Sequence, residues 1–134
     1  MKDAAIEPQI LRANRAFYAA FAAGDIEAMD ELWAHNTPVA CTHPGWPAQH
    51  GREDVMASWR AILLGGGAQK IRIEDEHAFA MGDAGYVTCI EHFRDAVLAA
   101  TNFFVREDGL WHVIHHQAGP ITPTGDPPAE RILN

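Results

Sequence analysis

Cys41, His43 and Trp46 stand within six residues, in the run Val39–Ala40–Cys41–Thr42–His43–Pro44–Gly45–Trp46. Strand alternation points Val39, Cys41 and His43 to one face. Pro44 and Gly45 then stop the strand, because proline lacks the ladder N–H and glycine tolerates turn geometry. A thiol and an imidazole at a strand end beside an indole form the kind of polar cluster that opens a ligand pocket. An imidazole titrates near neutrality, so His43 can act as a general base. The same run without chemistry is a turn with a packed tryptophan.

A second group lies in the C-terminal half, where Glu91, Asn102 and His115 fall in three successive strand-like segments. A carboxylate, an amide and an imidazole in one apolar concavity are a candidate acid–base constellation. Buried polar groups are costly unless paired, so the same three also fit a satisfied structural network. His43, Glu91 and His115 could ligate zinc or iron. No HxH or HExxH spacing accompanies them, so no metal and no cofactor is expected.

The elements that must position these groups can be read from periodicity. A helix is predicted from about Pro8 to Ala23, with Ile6, Ile10, Ala13, Phe17 and Phe21 on a buried stripe that Leu11 and Tyr18 widen. Gly24 stops it and Asp25 caps a second helix carrying Ile26, Met29, Leu32 and Trp33. A short strand from Pro38 to Thr42 follows, then a third helix from about Arg52 to Leu64 that ends at the Gly65–Gly67 run. Trp33 and Trp59 fall on apolar helix stripes. Four strands come next: Lys70–Met81, Gly85–Phe93, Leu98–Arg106 and Leu110–Ala118. Asp108–Gly109 is a two-residue hairpin turn. From Gly119 the chain is rich in proline and glycine and is expected to lie irregularly over the surface.

Turn positions suggest the register. With Asp108–Gly109 as the turn, Arg106 faces Trp111, Phe104 faces Val113 and Asn102 faces His115. With Asp95–Ala96 as the preceding turn, Cys89 faces Asn102 and Glu91 faces Ala100. One face then carries Val87, Cys89, Glu91, Asn102, Phe104, Val113 and His115. The other carries Thr88, Ile90, His92, Thr101, Phe103, Ile114 and His116. A one-residue slip would exchange the faces. Helices followed by antiparallel strands give an α+β domain with the helices on one sheet face. The outer face remains too apolar for water, so a homodimer through Thr101, Phe103, Val105, Ile114 and His116 is expected.

Composition bounds the partners. The chain has 134 residues, 48% of them hydrophobic, enough for one domain over 1–134 with a core over about 6–120. Its formal net charge is −8 and no Lys/Arg run appears, which disfavours nucleic acid and anionic membrane surfaces. No stretch approaches the ~20 apolar residues of a membrane span. The N-terminal residues lack a signal peptide's apolar centre, so a cytoplasmic location is expected, with Cys41 and Cys89 reduced.

Several segments together resemble the nuclear transport factor 2-like superfamily, and within it the SnoaL-like and ketosteroid-isomerase-related proteins. They are Phe17-Tyr-Ala-Ala-Phe-Ala-Ala-Gly-Asp25, Leu32-Trp-Ala, His43-Pro-Gly-Trp46, Gly51-Arg52, Ala100-Thr-Asn-Phe-Phe-Val-Arg-Glu-Asp-Gly109 and Trp111-His-Val-Ile-His-His116. The resemblance implies a cone of three helices packed in the concave face of a strongly bent antiparallel sheet, with a pocket inside and dimerisation through the outer sheet face. It covers isomerases, cyclases, epoxide hydrolases, dehydratases and members that only bind, so fold alone leaves activity open. By similarity to ketosteroid isomerase, the general base falls at His43, with Cys41 as the other alignment, and the pocket hydrogen-bond donor falls at Asn102. The oxyanion tyrosine falls at Phe17, with Tyr18 about 100° round the helix. The base has changed type and the main oxyanion donor is displaced, which argues against steroid isomerisation by that route. The expectation is a cofactor-free pocket protein using His43, Asn102, Glu91 and His115. Its site would be lined by Phe17, Tyr18, Cys41, Trp46, Trp59, Cys89 and Phe104. The rival is a non-catalytic binding or interaction module.

Overall fold

Nine elements build the protein, here described from a computed structural model over residues 6–66 and 69–122: α1 (Ile6–Ala23), α2 (Ile26–Leu32), β1 (Ala40–Thr42), β2 (Gln49–His50), α3 (Arg52–Gly66), β3 (Arg72–Met81), β4 (Ala84–His92), β5 (Val97–Glu107) and β6 (Leu110–Pro120). The six strands form one curved sheet in the order β2-β1-β6-β5-β4-β3. Its pairs are antiparallel except β1 with β6, which run parallel. The α+β class is as expected, and β2 is an added short edge strand.

α1 buries Ile6, Ile10, Asn14, Phe17 and Phe21 at helical spacing, so its inner stripe holds a polar residue at its centre. Gly24 ends the helix with φ +68°, and the Asp25 carboxylate accepts from the Ala28 N–H at 3.1 Å to start α2. α1 lies close on the sheet because Gly85 has no side chain. A Cβ there would meet Ile10 Cδ1 at 2.5 Å and the Phe79 carbonyl at 2.6 Å. Arg52 opens α3 and donates to the carbonyls of Asp30, Trp33 and Ala34, tying the end of α2 to α3. The core between helices and sheet holds Ile10, Phe17, Met29, Trp33, Val55, Trp59, Leu63, Val87, Phe104 and Val113.

Two register findings correct the sequence reading. The β4–β5 loop spans Phe93–Ala96, with Phe93 N–H donating to Ala96 O, instead of turning at Asp95–Ala96. Cys89 therefore faces Ala100, Glu91 faces Leu98 and Asn102 faces Val87. That is a shift of two, so each residue keeps its face. On the next hairpin Arg106–Trp111 and Phe104–Val113 pair as predicted, across a turn in which Asp108 and Gly109 both have positive φ. A β-bulge then inserts Ile114, so that Phe103 faces His115 and Asn102 faces His116. The one-residue insertion turns His116 inward and His115 outward. β6 also continues through Gly119 and Pro120 instead of leaving the sheet at Ala118. The rest of the expected irregular tail, 123–134, lies outside the described residues. Among the described residues no helix is long and apolar enough to cross a membrane.

Candidate functional site

Alternation on β4, β5 and β6 aims Cys89, Glu91, Asn102 and His116 at the inner face of α1, which answers with Asn14 and Tyr18, one helical turn apart. These side chains make one hydrogen-bonded group. The Tyr18 hydroxyl meets Glu91 Oε2 at 2.5 Å, Asn102 Nδ2 donates to Tyr18 Oη at 3.1 Å, and Cys89 Sγ lies 3.6 Å from the same oxygen. Asn102 Nδ2 also donates to Asn14 Oδ1 at 2.8 Å, and Asn102 Oδ1 meets His116 Nδ1 at 2.5 Å. Asn14, Glu91, Asn102 and His116 are all fully buried, so the burial is compensated by pairing.

A second group gathers where β1 meets α3. His43 Nε2 lies 2.9 Å from Ser58 Oγ, and Ser58 Oγ donates to the Val55 carbonyl at 2.6 Å. The hydroxyl has one hydrogen, already directed at Val55, so the hydrogen of the His43–Ser58 bond sits on Nε2. His43 Nδ1 is then the unprotonated nitrogen; Cys41 Sγ lies 3.6 Å from Nε2 and 4.0 Å from Nδ1. Trp59 packs against the imidazole at 4.7 Å between ring centroids, and Trp46 covers it at 5.1 Å. The buried indole N–H of Trp59 has no hydrogen-bond partner among the described residues. The rings of His43 and His116 are 6.4 Å apart, so the two groups adjoin.

Burial sets the charge states. Desolvation lowers His43 to about 4, and lowers His116 to about 3 with help from the neighbouring His43 and His115. Both imidazoles are neutral at pH 7. Desolvation raises Glu91 to about 7, against the hydrogen bond from Tyr18 that favours its charged form. The Tyr18 hydroxyl is held well above its ordinary value by burial and by the Glu91 charge. Burial also pushes Cys41 up to about 12 and Cys89 to about 11, so neither is a thiolate nucleophile. The interior thus offers two neutral bases and one carboxyl poised near neutrality. Among the described residues no cluster of three His, Cys, Asp or Glu side chains is arranged to hold a metal ion.

Glu91, Asn102, Tyr18, Cys89, Cys41, His43, Phe17, Trp59 and Phe104 are all interior. Trp46 is 39% exposed and stands outside, over His43. His115 does not join them. The Ile114 bulge turns it outward, where its Nδ1 meets the Ala40 carbonyl at 3.1 Å and its ring lies against Phe103. His116, expected at the outer seam, takes the inner place. Sequence reasoning missed Asn14 and Ser58 as well. Asn14 carried a signal, since it is four residues after Ile10 and three before Phe17 on the buried stripe. Ser58 likewise adjoins Trp59 and follows Val55 by three on the buried side of α3.

The cone's interior is occupied by its own aromatics. Phe17 meets Tyr18, Trp59 and His116 with centroids at 4.9, 5.5 and 5.1 Å, and Phe21 stands 4.9 Å from Trp59. A cavity of about 830 Å³ lies elsewhere, on the far side of α1 among Ala13, Ala16, Ala20, Leu32, Trp111 and His112. None of the interior acid–base groups lines it.

A family model for the SnoaL-like domain matches residues 10–123. Among solved structures, a "putative dehydratase from the NTF2-like family" of Streptomyces avermitilis is 31% identical, with 90% of this chain and 99% of that chain covered and a TM-score of 0.82. A "putative calcium/calmodulin-dependent protein kinase type II association domain" from Thiobacillus denitrificans is 30% identical over 82% of this chain and 93% of that one, with a TM-score of 0.71. A ketosteroid isomerase-like protein from Erwinia carotovora atroseptica shares the fold at 17% identity, 87% and 97% coverage and a TM-score of 0.73. A search of curated proteins gives no match. With most of its length matched by that family model, a cone of three helices and a curved six-stranded sheet, this chain belongs to the SnoaL-like family of the nuclear transport factor 2-like superfamily.

Proposed function

We propose that this protein is a cofactor-free acid–base enzyme acting on a small, largely apolar carbonyl compound, as a dehydratase or double-bond isomerase. The observation that carries this reading is that His43 and His116, neutral imidazoles with ring centroids 6.4 Å apart, connect through Asn102 to the Tyr18–Glu91 pair. His43 would remove a proton next to the carbonyl through its bare Nδ1. Tyr18 and Glu91 would supply a hydrogen bond and return a proton to oxygen or carbon. Asn102 has both amide hydrogens directed at Asn14 and Tyr18, so it acts through Tyr18 and His116. Phe17, Trp59 and Phe104 would give the apolar wall, and entry would be past Trp46. The Streptomyces relative's name agrees with water elimination. The test is a panel of small hydroxyketones and enones, assayed with wild type and His43→Ala. Turnover that disappears in the variant, with the fold intact by circular dichroism, supports the reading. Full activity in the variant removes His43 from the mechanism.

One observation favours a second reading. Phe17 and Trp59 fill the space that a substrate would need, which suits a non-catalytic ligand-binding or interaction module. Binding of panel compounds without turnover by any of them would select it. Under either reading we propose a homodimer through the outer sheet face. Thr101, Phe103, Val105 and Ile114 are half-buried there, and a shallow concavity runs past Thr101, Phe103, His115 and Gln117. Covering Phe103, Val105 and Ile114 would recover about 1.5–3 kcal/mol per side chain. His115 takes the seam position expected for His116. Sedimentation at neutral pH tests it, and a monomer would overturn it.

A further inference from the structure

The inner hydrogen bonds have a direction that can be traced from the surface. Glu76 on β3 is held by Arg15, with Nε to Oε1 at 3.1 Å, and a carboxylate in an ion pair can only accept. Its Oε2 stands 2.9 Å from the Asn14 side-chain amide, so Asn14 must present Nδ2 to it. Asn14 then presents Oδ1 to Asn102, at 2.8 Å, and Asn102 must answer with Nδ2. The remaining Asn102 hydrogen goes to Tyr18 Oη at 3.1 Å, which fixes the amide from a second side. Asn102 Oδ1 is left facing His116 Nδ1 at 2.5 Å, and an amide oxygen can only accept. The hydrogen of that bond belongs to His116. In a neutral imidazole one nitrogen carries hydrogen and the other a lone pair, so His116 Nε2 is bare. The ring packs among Phe17, Trp59 and His43.

We propose that Glu76 and Asn14 are positioning residues that, through Asn102, hold His116 as the Nδ1-protonated tautomer and make its Nε2 a second proton acceptor of the site. Burial lowers the His116 pKa, which keeps the ring neutral and the tautomer meaningful at pH 7. The proposal deepens the acid–base reading and rests on it for its catalytic consequence. The tautomer itself can be read in the protein without substrate. Reversing the chain at its outer end is the sharpest perturbation. In Glu76→Gln the side chain can present N–H to Asn14, so Asn14 can turn over and drive Asn102 to offer N–H to His116 in competition with its hold on Tyr18. Asn14→Ala cuts the chain and leaves Asn102 held by Tyr18 alone.

The experiment is long-range proton–nitrogen correlation NMR on uniformly ¹⁵N-labelled full-length protein at pH 7. It is run on wild type, Glu76→Gln and Asn14→Ala, with the ring assigned by His116→Gln. Wild type should show a pyrrole-type Nδ1 and a pyridine-type Nε2 for His116. Glu76→Gln should move both nitrogens towards the average of two exchanging tautomers. His43 should keep its opposite, Nε2-protonated form in both variants, which controls for a general loss of structure. A pyridine-type Nδ1 in wild type overturns the proposal, and so does a His116 spectrum unchanged in both variants. If the tautomer behaves as stated while His43→Ala retains full turnover, the proposed function fails and this inference stands.

Discussion

The two polar groups inside the cone differ in how completely they satisfy themselves. Around Tyr18 and Asn102 the side chains are joined in one hydrogen-bonded network to which α1, β3, β4, β5 and β6 each contribute. Around His43, among the described residues, the hydrogen bonds run to Ser58 and weakly to Cys41. There Trp59 keeps an unpartnered indole N–H, and the cover is the half-exposed Trp46. A connected network orients groups and resists change. A cluster with a spare donor and acceptor beneath an exposed indole is where the proposed substrate oxygen would be received. On the proposed function, the inner group holds the geometry and supplies the returning proton, and the mouth group takes the proton from the ligand.

The largest effect on activity is expected at the mouth. His43→Ala should lower kcat/KM by about 10²–10⁴-fold, as loss of a general base does, with only a modest fall in stability. Turnover of the panel substrates together with urea denaturation separates the two effects. The inner group should show the reverse emphasis. Asn102→Leu strands Asn14, Tyr18 and His116, and each unsatisfied buried group costs about 1–3 kcal/mol. Urea unfolding should therefore show a loss of about 3 kcal/mol or more, and a loss under 1 kcal/mol would mean the network is not formed.

Titration sharpens the same contrast. Glu91 rises from the ordinary 4.5 to about 7 in the folded state. Between these values the folded protein binds more protons than the unfolded chain, so this group's contribution to stability falls as pH rises from 4.5 through 7. His43 and His116 are lowered to about 4 and about 3. Below 6.5 the unfolded chain binds more protons there, so their contribution falls as pH drops. Glu91→Gln removes only the first effect. Relative to wild type it should gain stability on the order of 2 kcal/mol between pH 5 and pH 8, read from urea midpoints. A difference that does not change with pH would mean that Glu91 is not desolvated. The smallest effect is expected at Trp46→Ala. Its partial exposure limits the stability change to within about 1 kcal/mol, while KM should shift because the cover over His43 is gone.

Much of this arrangement is legible in the residues. Alternation along β4 and β5 places Cys89, Glu91, Asn102 and Phe104 on the inner face, and the misplaced Phe93–Ala96 loop does no harm because its shift of two preserves facing. Val39, Cys41 and His43 are buried together as a strand end predicts. The exchange of His115 for His116 could not be read, because the extra residue at Ile114 is enclosed by continuous strand-forming sequence with no glycine or proline to mark it. Asn14 is hidden in the sequence because apolar periodicity along α1 skips a polar residue on its buried stripe. Ser58 became part of the site only through His43, fifteen residues away, and that contact depends on how α3 packs on β1.

The measurement that tests the account most directly needs no substrate. It is the NMR pH titration of the His43 ring, assigned by its loss in His43→Ala. His43 is a desolvated imidazole at the mouth of the cone, so the midpoint should lie near 4 with the ring uncharged throughout pH 5–8. A midpoint at or above the ordinary 6.5 would put His43 in water and contradict the assignment of the interior as an acid–base site.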